Sequence, residues 1–450
     1  MLDFFLKKMN ETPSHEAVVS SEFSASYSQL MALMDRFTAW LKEKNIPQGA
    51  VVSFDGDYSP SSIALFLALT GNKNIVVPLS QDSRRHFVEF RDIASTEFDI
   101  SLAGIEACLT VTNREADHDL YRTLRESNSP GLVLFSSGST GKSKAIVQDL
   151  NKLMEKFQKP RKSLRMLIFL QLDHIGGINS LLFSLANKGT VIVADGRSPE
   201  KVCQAIESYR GEVLPTSPTF LNLLILSKAF ESYDLSSLKL ITYGTEPMQK
   251  STLEKLGVLF PGTQVQQTYG LSEVGILRSK SRASDSLWMK VGGKEFTTKI
   301  VNGTLWVKSD SAMLGYLNAP TPFDDEGFLD TGDMVEQDGE WLRILGRKSE
   351  IINVGGLKVY PAEVESVLLE IENVEDVVVF GEDNPITGKM VVAKFKLNTP
   401  EKPRALKARM LNFCKDKLQP YKIPGKITLT EDGTYNERFK RMRRLDKDNH

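Results

Sequence analysis

Along the first 290 residues, short apolar runs alternate with stretches of helical spacing, and no other feature constrains the fold so strongly. Residues 28–44 bring Leu30, Leu33, Met34, Phe37, Trp40 and Leu41 to one helical face, and Asn45-Ile46-Pro47-Gln48-Gly49 stops that helix. Val51-Val52-Ser53-Phe54 then reads as a strand, residues 61–70 as a helix, and Ile75-Val76-Val77-Pro78-Leu79 as a buried strand. The pattern returns at Val191-Ile192-Val193-Ala194 and Leu238-Lys239-Leu240-Ile241-Thr242. Apolar strands separated by helices predict an α/β fold with mostly parallel sheets. Its ligands would sit beyond the carboxyl ends of the strands.

Past residue 290 the pattern changes. Residues 296–301 and 304–307 flank Asn302-Gly303, which predicts a hairpin, and residues 341–345 follow the turn Gln337-Asp338-Gly339-Glu340. These predict a small antiparallel region. From Gly346 onward come a strand, a helix over 361–370, strands over 374–380 and 390–397, and a helix over 403–417. That order predicts a separate α+β domain. A chain of 450 residues is too long for one ordinary domain. The expected division is a large N-terminal unit, 1–346, and a small mobile C-terminal unit, 347–450, joined by a short hinge.

Charge narrows the partners. Lys and Arg number 56 against 57 Asp and Glu, a net charge of −1, so no global field recruits nucleic acid or an anionic membrane. Cys108, Cys203 and Cys414 lie far apart and fit a reducing compartment. The longest apolar stretches, 63–69 and 178–185, fall far short of the roughly 20 residues a spanning helix needs. A cytoplasmic protein with no integral membrane segment is expected.

The apolar run Gly131-Leu132-Val133-Leu134 opens into Phe135-Ser136-Ser137-Gly138-Ser139-Thr140-Gly141-Lys142-Ser143-Lys144-Ala145. Glycines let a phosphate approach the backbone, N–H groups and hydroxyls donate to it, and lysine adds charge. Gly141-Lys142-Ser143 suggests a P-loop, but that motif needs glycine where Ser136 stands. The stretch instead resembles the Ser-Gly-Ser-Thr-Gly-x-Pro-Lys-Gly loop of the adenylate-forming enzymes, which include acyl-CoA synthetases, peptide-synthetase adenylation domains and luciferase. Ser143 replaces the proline and Ala145 the last glycine.

Further segments match that family in order. Tyr269-Gly270-Leu271-Ser272-Glu273 resembles Tyr-Gly-x-Thr-Glu. The resemblance puts Tyr269 against adenine, Ser272 on the α-phosphate and Glu273 on Mg2+. A hard cation on carboxylate and phosphate oxygens offsets the charge that gathers when a carboxylate attacks phosphorus. Gly244-Thr245-Glu246-Pro247 stands where the family's Gly-Gly-Ala-Pro turn packs on the adenine edge. Asp333, in Gly327-Phe328-Leu329-Asp330-Thr331-Gly332-Asp333, corresponds to the ribose-binding aspartate. A carboxylate is the natural acceptor for two vicinal hydroxyls.

In the run from Gly346 to Glu365, the resemblance assigns Arg347 to ribose or phosphate and Ser349 to the hinge. It places Gly355 and Gly356 along the tunnel for the thiol arm. His174, in Gln171-Leu172-Asp173-His174-Ile175-Gly176-Gly177, resembles the gate of the acyl pocket. The family's closing Thr-x-x-Gly-Lys-Ile-x-Arg is altered to Thr434-Tyr435-Asn436-Glu437-Arg438-Phe439-Lys440-Arg441, which leaves Lys440 or Arg438 as the group bridging carboxylate and α-phosphate. An ammonium tucks between two oxyanions more easily than a planar guanidinium, which favours Lys440.

The resemblance implies an ATP- and Mg2+-dependent acid–thiol ligase, with Lys144, Ser136, Ser137, Ser139 and Thr140 on the phosphates. The acyl group would pass to coenzyme A, or alternatively to a carrier-protein phosphopantetheine. A P-loop NTPase and a non-catalytic nucleotide-binding relative are the other readings. The length is that of compact acid–CoA ligases, and the acid itself cannot be read.

Overall fold

The computed structural model describes residues 1–137 and 143–430, without the Ser137 side chain. Gly138, Ser139, Thr140, Gly141, Arg438 and Lys440 lie outside the described residues. Of two seven-stranded sheets, one is mostly parallel and the other, expected to be so, is mixed, with three parallel and three antiparallel neighbour pairs. In the mixed sheet, the strand Ile75–Leu79 lies between Val51–Asp55 and Gly131–Ser137, parallel to both. Every residue of Ile75–Leu79 is buried, as a central parallel strand requires. The other sheet runs in parallel from Gln264–Gln267 through Leu240–Tyr243, Val213–Thr216, Arg165–Leu167 and Thr190–Ile192 to Glu16–Val19.

Helix ends follow local chemistry. Ser26 and Gln29 form a reciprocal capping box before the helix Tyr27–Glu43. Ser59 caps Pro60–Gly71, whose proline at the first turn is preset for a helix. Of the expected face on Tyr27–Glu43, Leu30, Met34, Phe37 and Leu41 are buried, while Leu33 and Trp40 pack at its margin.

The antiparallel region is larger than the hairpin expected from sequence. It is a seven-stranded sheet from Tyr269–Leu271 to Phe296–Val301, all neighbours antiparallel. The strand near 238 begins only at Leu240, because the Leu238 and Lys239 amides bond to Leu235 and Glu212 carbonyls first. Beyond Arg347, residues 352–429 build a five-stranded sheet with the helices Pro361–Leu368 and Pro403–Cys414. That sheet has its own apolar core, from Ile352 and Val359 to Phe395, Met410 and Cys414. Among the described residues no helix is long and apolar enough to cross a membrane.

Candidate active site

The expected site segments follow the carboxyl ends of parallel strands. The glycine–serine loop leaves Gly131–Ser137, the Gly244 turn leaves Leu240–Tyr243, and Tyr269 follows Gln264–Gln267. The strand entered after the glycine–serine loop, Ser143–Asp149, runs antiparallel to the one left. Ser137 faces Ser143 and Ser136 faces Lys144. A P-loop must enter a helix, whose N-terminal amides hold the phosphate. This segment enters a strand, so the P-loop NTPase reading fails.

The antiparallel partner brings distant residues onto the loop. Gly315 and Tyr316 pair with Val147 and Ile146. The Asn318 side chain accepts from the Ala145 amide at 3.0 Å and donates to the Ser143 carbonyl at 2.8 Å. Tyr316 is 8% exposed; its hydroxyl donates to Glu273 Oε1 at 2.7 Å, and Lys144 Nζ lies 5.0 Å from its ring centroid. Sequence reasoning named Lys144 and Glu273 but missed Tyr316. The only local signal was Gly315-Tyr316-Leu317-Asn318 ahead of Pro320, a turn composition that says nothing of what the ring faces.

The backbone at Glu273 is held from two sides. Gln148, fully buried, donates Nε2 to the Ser272 carbonyl at 2.5 Å, and the Met313 amide donates to the Glu273 carbonyl at 2.7 Å. Glu273 Oε2 accepts no hydrogen bond from the described residues. A half-buried carboxylate with one oxygen oriented and the other open fits one ligand of Mg2+, which is bound by one or two carboxylates plus substrate phosphates.

A second group forms around Asp333, which is 6% exposed. Its Oδ2 accepts from the Tyr269 hydroxyl at 2.6 Å, and its Oδ1 lies 2.7 Å from Arg347 Nε, the cross-strand neighbour. Burial raises the Asp333 carboxyl above its usual range, while Arg347 and the Tyr269 hydroxyl pull it back. The Tyr269 phenol is raised by burial and by Asp333, so it stays a donor. Thr331 anchors the loop by donating to the Leu305 carbonyl at 2.7 Å. A carboxylate offers about four lone-pair sites, and the described residues use two of them here. Burial lowers the Arg347 guanidinium, but the charge of Asp333 foremost, with smaller contributions from Tyr269 and Glu273, leaves it raised.

Close backbone approach explains two glycines. A Cβ at Gly244 would stand 2.7 Å from Thr268 Oγ1 and 2.9 Å from its carbonyl oxygen. Thr245 then turns at φ 71°, and Glu246 accepts from Thr219 Oγ1 at 2.6 Å. A Cβ at Gly270 would stand 2.8 Å from both the Gly275 carbonyl oxygen and Ile276 Cα across the sheet. Gly270→Ala is expected to destabilise the protein by about 1–3 kcal/mol. Thermal melting checks this: a Tm within a degree of wild type would show that the strand yields.

His174 caps the helix Ile175–Ala186, its Nδ1 accepting from the Gly176 amide at 3.1 Å. A neutral ring so held carries its proton on Nε2. The adjacent Asp173 is buried and accepts from Ser80 Oγ at 2.6 Å. Ser349 lies exposed in the single turn Lys348–Glu350, two residues past Arg347. Gly355 and Gly356, at φ 58° and 85°, form the exposed turn of the hairpin Ile352–Val354 to Leu357–Val359. Two positive φ values define a type I′ turn, which suits glycine without reference to a ligand.

The glycine–serine hairpin joined to Glu273, and the buried Asp333 held by Tyr269 and Arg347, supply the donors and acceptors that a nucleotide site of the adenylate-forming kind needs. Comparison with known proteins agrees. The family model for the AMP-binding enzyme matches residues 5–317, and that for the AMP-binding enzyme C-terminal domain matches 363–436. The chain belongs to the AMP-binding enzyme family.

It is 25% identical to an indoleacetate–CoA ligase of Aromatoleum aromaticum, over 93% of this chain and 92% of that one. With acyl-CoA synthetase 7 of Caenorhabditis elegans it shares 31% identity, over 58% of this chain and 54% of that one. An anthranilate CoA ligase solved with anthranoyl-AMP superposes at a TM-score of 0.82 and 18% identity, over 98% and 95% of the two chains. The o-succinylbenzoate CoA synthetase of Bacillus subtilis, solved with its acyl-adenylate, superposes at 0.78 and 21% identity, over 99% and 98%.

Proposed function

We propose that this protein is an AMP-forming acid–CoA ligase. The observation that carries the reading is the joining of the phosphate-loop lysine, Lys144, to Glu273 through Tyr316. In the first step a substrate carboxylate oxygen attacks the α-phosphorus of ATP. The new bond is carboxyl O–P, the α–β phosphoanhydride breaks, and pyrophosphate leaves. Lys144 and the loop hydroxyls Ser136, Ser139 and Thr140 hold the phosphates. Tyr269 and the Gly244–Glu246 turn bound the adenine, Ser272 meets the α-phosphate, and Asp333 accepts from the ribose. When bound at Glu273, Mg2+ supplies positive charge to the crowded phosphate oxygens.

In the second step a thiolate attacks the acyl carbon, the C–O bond to AMP breaks, and the thioester forms. We assign the acceptor as CoA, with a carrier-protein phosphopantetheine as the alternative. The C-terminal unit from 347 would turn about Ser349 between the steps, bringing Gly355 and Gly356 to the thiol path and moving Lys440 or Arg438 away. His174 would border the acid, which is a small carboxylic acid of unassigned class.

Carboxylate-dependent ATP–pyrophosphate exchange over aryl, dicarboxylic, fatty and amino acids tests the first step. Comparing CoA with a carrier protein for faster pyrophosphate release tests the second. Lys440→Ala is expected to lower exchange at least tenfold more than Arg438→Ala; a larger loss in Arg438→Ala would move the role to Arg438. ATP binding with no exchange for any acid would favour a non-catalytic relative.

A further inference from the structure

Tyr316 belongs to no motif identified in the sequence, yet it touches both chemical groups of the phosphate side. Its ring is buried with Ile146 and Met313 in one apolar cluster, so its orientation is set by packing. Its backbone pairs with the strand that leaves the phosphate loop. Its hydroxyl meets Glu273 Oε1 and its face carries the Lys144 ammonium. The two charges are therefore held on different parts of one aromatic side chain.

That arrangement has a consequence for charge. A lysine on a flexible four-carbon stem beside a carboxylate would ordinarily pair with it. Here the ring gives the ammonium an alternative, a cation–π seat, and the hydroxyl gives Oε1 a neutral partner. Neither Lys144 nor Glu273 forms an ion pair with a described residue. The hydroxyl, donating to Oε1, gives Glu273 a hydrogen bond without a positive charge. Oε2 of Glu273 is left for a cation, and the Lys144 ammonium for phosphate.

We propose that Tyr316 is a positioning residue that holds Glu273 and Lys144 apart, each aimed at its own part of a metal–nucleotide substrate. This rests on the ligase reading above and deepens it.

The test separates the two halves of the side chain. Tyr316→Phe keeps the ring and loses the hydroxyl; Tyr316→Leu loses both. Each variant, first matched to wild type by melting temperature, is titrated with Mn2+ in the presence of a non-hydrolysable ATP analogue, and with the analogue alone. For Tyr316→Phe, Mn2+ affinity is expected to fall about five- to twentyfold, with metal-free analogue binding within twofold of wild type. For Tyr316→Leu, metal-free analogue binding is expected to fall as well, about three- to tenfold, as Lys144 collapses onto Glu273. Wild-type Mn2+ affinity in Tyr316→Phe would overturn the proposal, and so would equal weakening with and without metal. The titration uses no acid and no turnover. Failure of the ligase reading would appear instead as a wild-type protein that exchanges no pyrophosphate with any acid.

Discussion

Asp333→Ala is expected to reduce ATP–pyrophosphate exchange by roughly two to four orders of magnitude, measured at fixed acid and subsaturating ATP. Two hydrogen bonds from ribose hydroxyls to an ionised carboxylate are each worth about 1.5–3 kcal/mol, and about 1.4 kcal/mol is tenfold. The carboxylate is almost wholly buried and already oriented by Tyr269 and Arg347, so little ordering opposes those bonds. Truncation also strands the buried Tyr269 hydroxyl, which adds a stability loss of about 1–3 kcal/mol. Asp333→Asn separates the effects, since its amide oxygen can still accept from Tyr269. Its Tm should lie closer to wild type than that of Asp333→Ala, while exchange stays low. Near-normal exchange in either variant would remove Asp333 from the ribose.

The pair also sets a pH dependence. Burial raises the Asp333 carboxyl, and Arg347 opposes that rise. The ionised form is the acceptor, so nucleotide binding should weaken as pH falls through the folded-state pKa. Removing the opposing cation pushes that pKa higher still. Arg347→Met should therefore move the acid limb of AMP binding to higher pH in a calorimetric series, and an unmoved limb would contradict the coupling.

Glu273→Gln is expected to lower exchange roughly a hundred- to thousandfold at saturating ATP, with part of the loss recovered at high Mg2+. A metal offsets several kcal/mol of developing charge, and an amide is a far weaker ligand for a hard cation. The substitution preserves shape and leaves an oxygen for the Tyr316 hydroxyl, so the melting temperature should change little. A variant with wild-type exchange and unaltered metal dependence would place the cation elsewhere.

What was legible in the sequence is what neighbouring residues determine. The strand Ile75–Leu79 could be read because a central parallel strand is apolar at every position. The Asn302-Gly303 turn identified a hairpin because its backbone geometry selects those residues. Asp333 and Arg347 were each legible in a motif, but their pairing depends on strand register, which neither motif contains. Tyr316 and Gln148 were illegible for the same reason. One meets a residue 43 positions away and the other a residue 124 positions away, and no local periodicity reports such contacts. The strand entered after the phosphate loop went unread in the sequence, and its antiparallel pairing with Gly131–Ser137 adds to the missing glycine at Ser136 in separating this loop from a P-loop.

The central claim is that a carboxylate oxygen becomes bonded to the α-phosphorus of ATP. An acid labelled with 18O in its carboxyl group, identified by the exchange panel, tests this in one turnover with CoA. Mass spectrometry of the AMP should show one 18O atom per molecule, because thiol attack breaks the acyl C–O bond and leaves that oxygen on phosphorus. Unlabelled AMP, or ADP as the nucleotide product, would contradict the account.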